Sequence, residues 1–207
     1  MRKFLIFAVY NLLLITLGVA TLYAASTYIE KEMNSLDQSS LLKSSPFEDV
    51  IIYHVKYTFN TETLSFEVKS LENNSVLNLT LSDSIYGYPV TAIKDKAFYK
   101  SNIEYITLGK HIKYIGNNAF ESSINLKELI GFEQIQSIGK WAFKDCINLE
   151  MDITFKSIQY IGLRAFFNVN KIKSVSIDLN DDSLYQTLVI DKDAFSLPNA
   201  LSLNTTP

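Results

Sequence analysis

The chain has 207 residues and a formal net charge of −3, which is length enough for one ordinary domain plus an export segment and too little positive charge to draw in nucleic acid. With 47% hydrophobic and 20% charged residues, it does not have the composition of a disordered chain. The single cysteine, Cys146, excludes an intrachain disulfide and any multi-cysteine metal site, and His54 and His111 each lack a companion at metal-ligand spacing. No metal or other cofactor is expected.

At the N-terminus, Arg2 and Lys3 precede an apolar run from Phe4 to Ala25, broken only by Asn11, Thr16, Gly18 and Thr21. As one hydrophobic helix rising about 1.5 Å per residue it would span roughly 33 Å, close to the hydrocarbon thickness of a bilayer. Two readings of residues 1–26 stay open. Length favours a single-span membrane anchor. A cleaved signal peptide is served by Gly18-Val19-Ala20 or Ala24-Ala25-Ser26 as the cleavage signal. In both readings the basic flank stays on the cytoplasmic side, and the remainder is exposed on the cell surface or secreted. Residues 27–48 are rich in serine and read as a spacer.

Residues 49–89 carry strand-like runs at Val50 to Tyr57, Leu64 to Val68 and Leu77 to Leu81, the first two separated by Asn60-Thr61-Glu62-Thr63. They predict a hairpin and a first irregular strand. His54 alternates with apolar neighbours and reads as a half-exposed strand residue. Sequons at Asn73, Asn78 and Asn204 matter only where exported chains are glycosylated.

From residue 90 the sequence repeats itself. Ile-x-x-x-Ala-Phe occurs five times, ending at Phe98, Phe120, Phe143, Phe166 and Phe195, with spacings of 22, 23, 23 and 29 residues. Such a period marks a solenoid, in which each unit buries its apolar face only against its neighbours. Residues 49–89 would then cover the N-terminal end of the stack. The small alanine lets the turn approach its neighbour, and the phenylalanines are expected to stack as a ladder. Gly116, Gly139 and Gly162 follow the isoleucine directly and are expected to supply an unusual backbone conformation.

Within each unit a second apolar signal, at Ile103, Leu126, Leu149, Ile172 and Leu201, lies five or six residues after the preceding phenylalanine. Ile106 and Leu108 extend it as L-x-x-L-x-L, and Met151, Ile153 and Phe155 alternate. Each coil therefore predicts one short strand, its core residues stacked on those of the next. The fold class is a solenoid of short strands and tight turns with little helix, preceded by the N-terminal hydrophobic helix. Residues 178–187 read as a loop inserted in the fourth coil; its Asp178, Asp181 and Asp182 lack the spacing of a calcium loop. Leu201 and Leu203 begin a sixth strand, leaving an edge in residues 190–207 through which chains could self-associate.

Asn125-Leu126-Lys127-Glu128-Leu129 followed by Ile135-Gln136-Ser137-Ile138-Gly139-Lys140-Trp141-Ala142-Phe143-Lys144-Asp145-Cys146 resembles the unit of the BspA-type leucine-rich repeat family of surface proteins. Gly87-Tyr88-Pro89-Val90 is similar to the segment with which such arrays begin. The family's proline after the strand is missing from every copy, and its cysteine is kept only at Cys146, best read as a buried packing residue. The resemblance implies a leucine-rich repeat solenoid over residues 90–207, engaged in adhesion or in contact with a protein or surface ligand. Outward strand positions are the candidate ligand face: Glu104, Tyr105, Thr107, Lys127, Glu128, Ile130 and Lys173. No nucleophile motif, Gly-rich phosphate loop or histidine pair is present, so catalysis is not expected.

Overall fold

A computed structural model describes residues 48–178, 188–196 and 204–206. The expected N-terminal helix, the Ser-rich spacer up to residue 47, Asp181, Asp182, Leu201 and Leu203 lie outside these residues. In the N-terminal part, the strands are β1 (Val50–Ile52), β2 (Val55–Asn60), β3 (Ser65–Leu71), β4 (Asn78–Thr80), β5 (Ser84–Ile85) and β6 (Tyr88–Ile93). There follow β7 (Tyr105–Thr107), β8 (Tyr114–Ile115), β9 (Glu128–Ile130), β10 (Ser137–Ile138), β11 (Glu150–Phe155) and β12 (Tyr160–Ile161). The last are β13 (Phe166–Phe167), β14 (Lys171–Asp178), β15 (Val189–Ile190), β16 (Phe195–Ser196) and β17 (Asn204–Thr206). Among the described residues there is no helix.

The chain winds with every repeat and pairs with itself one coil earlier, but not through one strand per coil as the sequence suggests. The L-x-x-L-x-L strands form parallel ladders, β4-β7-β9 and β11-β14-β17. A second parallel ladder, longer than either, runs β3-β6-β8-β10-β12-β15. Its rungs are the residue pairs that end on the repeated isoleucine: Ile93, Ile115, Ile138, Ile161 and Ile190 stand in register. These pairs are only two residues long from β8 onward, too short for a period-2 pattern to show. Both ladders turn their apolar side chains into one core, where Ile106, Leu129, Ile153, Ile115, Ile138 and Ile161 are at most 4% exposed.

At the N-terminal end, β1, β2 and β3 form an antiparallel meander whose last strand pairs in parallel with β6. The run from Val50 to Tyr57 is thus two strands, not one. Tyr53 and His54 occupy the tight turn between them, both at positive φ (47° and 67°), so His54 is an exposed turn residue rather than a half-exposed strand residue. The Leu77 to Leu81 run is not irregular either: β4 is a regular rung with Leu79 opposite Ile106, and it stands at the N-terminal end of its ladder.

The far side of the core is a column of rings. Phe98, Phe120, Phe143, Phe166 and Phe195 stack at successive centroid distances of 5.0, 5.0, 5.1 and 4.9 Å, tilted by 2–17°. Three residues after each of the first four rings lies a buried small side chain: Ser101, Ser123, Cys146 and Val169. The Ser123 hydroxyl donates to the Phe98 carbonyl at 2.6 Å, and the Cys146 thiol does the same to Phe120 at 3.0 Å. Burial pushes the Cys146 thiol up, so it stays protonated and inert as a packing residue.

The glycines after the isoleucine do something other than expected. None of Gly116, Gly139 and Gly162 has positive φ. A Cβ on Gly139 would lie 2.6 Å from the Asn117 amide nitrogen in the coil before it, and Gly162 meets Lys140 at the same distance. Close approach excludes a side chain there. Positive φ falls instead on the residue before each repeated alanine, at Lys96, Asn118, Trp141, Arg164 and Asp193 (φ 52–59°). In three of them that conformation aims the amide at the next coil: Lys96 N–H donates to the Asn117 carbonyl at 3.0 Å, Asn118 N–H to Lys140 at 2.9 Å and Trp141 N–H to Leu163 at 3.0 Å.

Phe143→Ala removes a ring that stacks on both neighbours and meets Phe132 edge-on at 5.7 Å. It should lower stability by about 3–5 kcal/mol, read as a reduced urea midpoint with unchanged slope. Gly139→Ala should also shift the midpoint downward, although it adds a single methyl group. A midpoint equal to that of the parent chain would contradict the close approach.

Candidate binding face

The outward side chains of the L-x-x-L-x-L ladders form the face that the sequence singles out. Period-2 geometry places Tyr105 and Thr107 outside with Ile106 between them, and Glu128 and Ile130 outside with Leu129 between them. The structure agrees: Tyr105 is 42% and Ile130 52% exposed, whereas Ile106 and Leu129 are buried. Register brings Tyr105 opposite Glu128 and Thr107 opposite Ile130.

Charge pairing follows the one-coil offset. Lys127 Nζ donates to Glu104 Oε2 at 2.6 Å and lies 5.6 Å from the Tyr105 ring centroid. The hydrogen bond to Glu104 raises the Lys127 pKa above its ordinary value. Lys173 repeats the arrangement with Glu150 at 2.8 Å, and the hydroxyls of Thr154 and Ser176 sit 3.1 Å apart. Ser174 Oγ donates to Asp152 at 2.5 Å. Glu104, Tyr105, Thr107, Lys127, Glu128 and Ile130 thus share one short sheet, while Lys173 stands on the other.

The face is not continuous, and this the sequence reading missed. β9 does not pair with β11. Among the described residues two backbone bonds bracket the gap, Glu150 N–H to the Lys127 carbonyl at 2.9 Å and Lys156 N–H to the Glu133 carbonyl at 3.0 Å. The cause is a misplaced residue. Leu126 and the next core residue, Leu129, are three apart, whereas Leu149 and Ile153 are four apart. The earlier coil regains phase only through Ile130-Gly131 before the buried Phe132, with Gly131 at φ +85°. Between these points the strands are out of step by one residue, which would oppose inward to outward side chains. A groove of about 550 Å³ opens there, lined by residues that include Glu128, Ile130, Glu133, Glu150, Asp152 and Lys156. The unequal spacing of core residues is the signal that could have located it.

The longer ladder has an outer surface too. Ala92, Tyr114, Ser137, Tyr160 and Val189 align along it. Tyr114 is 48% exposed, and the Tyr160 hydroxyl is fixed by donation to Asp191 Oδ2 at 2.8 Å. Among the described residues no group of three or more His, Cys, Asp or Glu could hold a metal ion.

The family model described as a BspA type leucine rich repeat region matches residues 91–201 in six copies. Solved structures share the fold. A leucine-rich cell surface protein from Faecalibacterium prausnitzii superposes with TM-score 0.53 at 21% identity, covering 77% of this chain and 45% of that one. The Treponema pallidum leucine-rich repeat protein gives 0.53 at 18% identity, covering 75% and 84%. A leucine-rich repeat protein from Bacteroides capillosus gives 0.54 at 20%, covering 64% and 99%. The present chain spans less than half the length of the F. prausnitzii protein. No curated protein matches it.

The hydrogen bond from Lys173 holds the Glu150 carboxyl below its ordinary value of 4.5. The pair is therefore fully formed above that value and is lost as pH falls through the lower folded pKa. Titration of the Glu150 side chain by carbon NMR should give a midpoint below 4.5, returning upward in Lys173→Gln. Equal midpoints in the two proteins would mean that the pair does not form in solution.

Proposed function

The chain belongs to the BspA-type leucine-rich repeat family, and from that premise we propose that it is an exported protein-binding module that contacts its partner through the exposed strand face. The observation that carries the reading is the exposure of Tyr105 and Ile130 on outward positions that the core does not use. An aromatic ring and an aliphatic side chain set among charged residues are the material of a contact hot spot. The solenoid frees these positions to vary, because each coil is held by its inward residues and its backbone bonds. The reading needs no cofactor, no nucleic acid and no catalytic step.

Placement at the cell surface is part of the proposal. It is supported by the basic-then-apolar segment at residues 2–25 and by the surface description of the F. prausnitzii structure. Whether residues 1–26 remain as an anchor or are removed is decided by the N-terminal mass of the full chain and its retention in the membrane fraction after expression in cells.

Cells displaying the full chain should adhere to immobilised matrix protein, and Tyr105→Ala with Ile130→Ser should reduce adhesion severalfold. Tyr114→Ala, on the other ladder, should leave it unchanged. Adhesion insensitive to the strand-face pair but lost with Tyr114→Ala would move the contact to the longer ladder.

A second reading, a structural unit that self-associates through residues 190–207, is favoured by one observation. Among the described residues β15 is the last strand of the longer ladder, and its Ile190 is 36% exposed. Light scattering on the purified full chain should then show an oligomer that Ile190→Lys dissociates. A monomer at high concentration would remove this reading.

A further inference from the structure

We propose that the groove between β9 and β11 takes a lysine or arginine side chain from an extended segment of a protein partner. The aliphatic stem lies along Ile130 and Met151, and the charged head meets Glu128 and Glu133. The inference rests on the strand face being the binding face and names what that face takes.

Charge complementarity sets the class of occupant. Four carboxylates line the groove, on Glu128, Glu133, Glu150 and Asp152, against one ammonium on Lys156. Two of the four already have partners. Glu150 pairs with Lys173 at 2.8 Å, and Asp152 accepts from Ser174 at 2.5 Å. Glu128 and Glu133 have no ion pair and no side-chain hydrogen bond among the described residues, and both are exposed. Elsewhere on this face Glu104 is neutralised within the chain by Lys127. The open negative charge is therefore concentrated at the break.

The apolar floor narrows the choice. Ile130 is 52% exposed, and Met151, half-buried beside it in the groove lining, adds a flexible thioether chain. A small anion would be repelled. A wholly apolar side chain would desolvate the carboxylates without giving them a partner. A metal ion finds no group of three donors. A long basic side chain meets both demands, since its stem covers apolar surface while its head stays with the charges. An extended partner backbone passes over the outward face and turns every second side chain toward the groove.

The test uses the purified full chain and a labelled short peptide alternating arginine and threonine, followed by fluorescence anisotropy at low salt. The parent chain should bind it, and a peptide with glutamate in place of arginine should not bind. Glu128→Gln/Glu133→Gln should weaken binding about tenfold, and Ile130→Ser about threefold. Glu62→Gln, a charge removed from the distant hairpin loop, should change nothing. Thermal melts confirm that each variant folds. Absence of binding by the parent overturns the proposal, as does equal weakening by Glu62→Gln, which would mean diffuse attraction to a negative protein. Calcium competing the peptide from the parent chain at concentrations that sodium of equal ionic strength does not match would also overturn it, in favour of a cation site. If Tyr105→Ala with Ile130→Ser abolishes adhesion to matrix protein while Glu128→Gln/Glu133→Gln leaves it intact, the groove assignment falls and the strand-face reading stands. If neither affects adhesion, both fall.

Discussion

The spacing between coils is fixed by backbone hydrogen bonds, and nearly every other feature answers to it. Strands that pair in parallel stand about 4.8 Å apart, and the phenylalanine rings follow at 4.9–5.1 Å. That distance exceeds ring contact, so the rings must be offset, and their order is inherited from the backbone rather than created by mutual attraction. The same spacing explains why Gly139 tolerates no Cβ. It also explains why residues one repeat apart, such as Glu104 and Lys127, meet as ion pairs. A residue in this protein has its chemistry decided as much by its counterpart one coil away as by its neighbours in sequence.

The repeat made the core isoleucines and the ring column legible, because both are identities recurring at a nearly constant distance. Two-residue rungs such as Tyr114–Ile115 were not legible, since they are too short to show alternation and register only as part of a ladder. Nor was the turn geometry at Trp141 and Arg164. Positive φ is ordinarily foreshadowed by glycine or asparagine, yet here it is imposed on whatever residue precedes the alanine. Inter-coil bonds on either side hold these residues in a conformation their side chains would not choose.

The candidate face was half legible. Alternation placed Tyr105, Glu128 and Ile130 outward correctly, because inward and outward positions differ in polarity. The break between β9 and β11 was concealed, since in each of the two coils the apolar residues look regular when read alone. It emerges only from the difference in spacing between Leu126–Leu129 and Leu149–Ile153. Glu133 and Lys156 were not legible as groove residues for the same reason: they belong to the site only because the strands fall out of step beside them.

The antiparallel meander at β1 to β3 gives the array a direction. β3 offers β6 a finished edge, and from there each coil needs only the one before it, about 23 residues back, to find its register. A chain delivered N-terminus first could therefore set its template early and add coils as they arrive, without waiting for distant sequence. A defect would then have a polarity: damage at Val68 or Ile93 would disorganise everything downstream, while the same damage at Ile161 would leave the earlier coils in place.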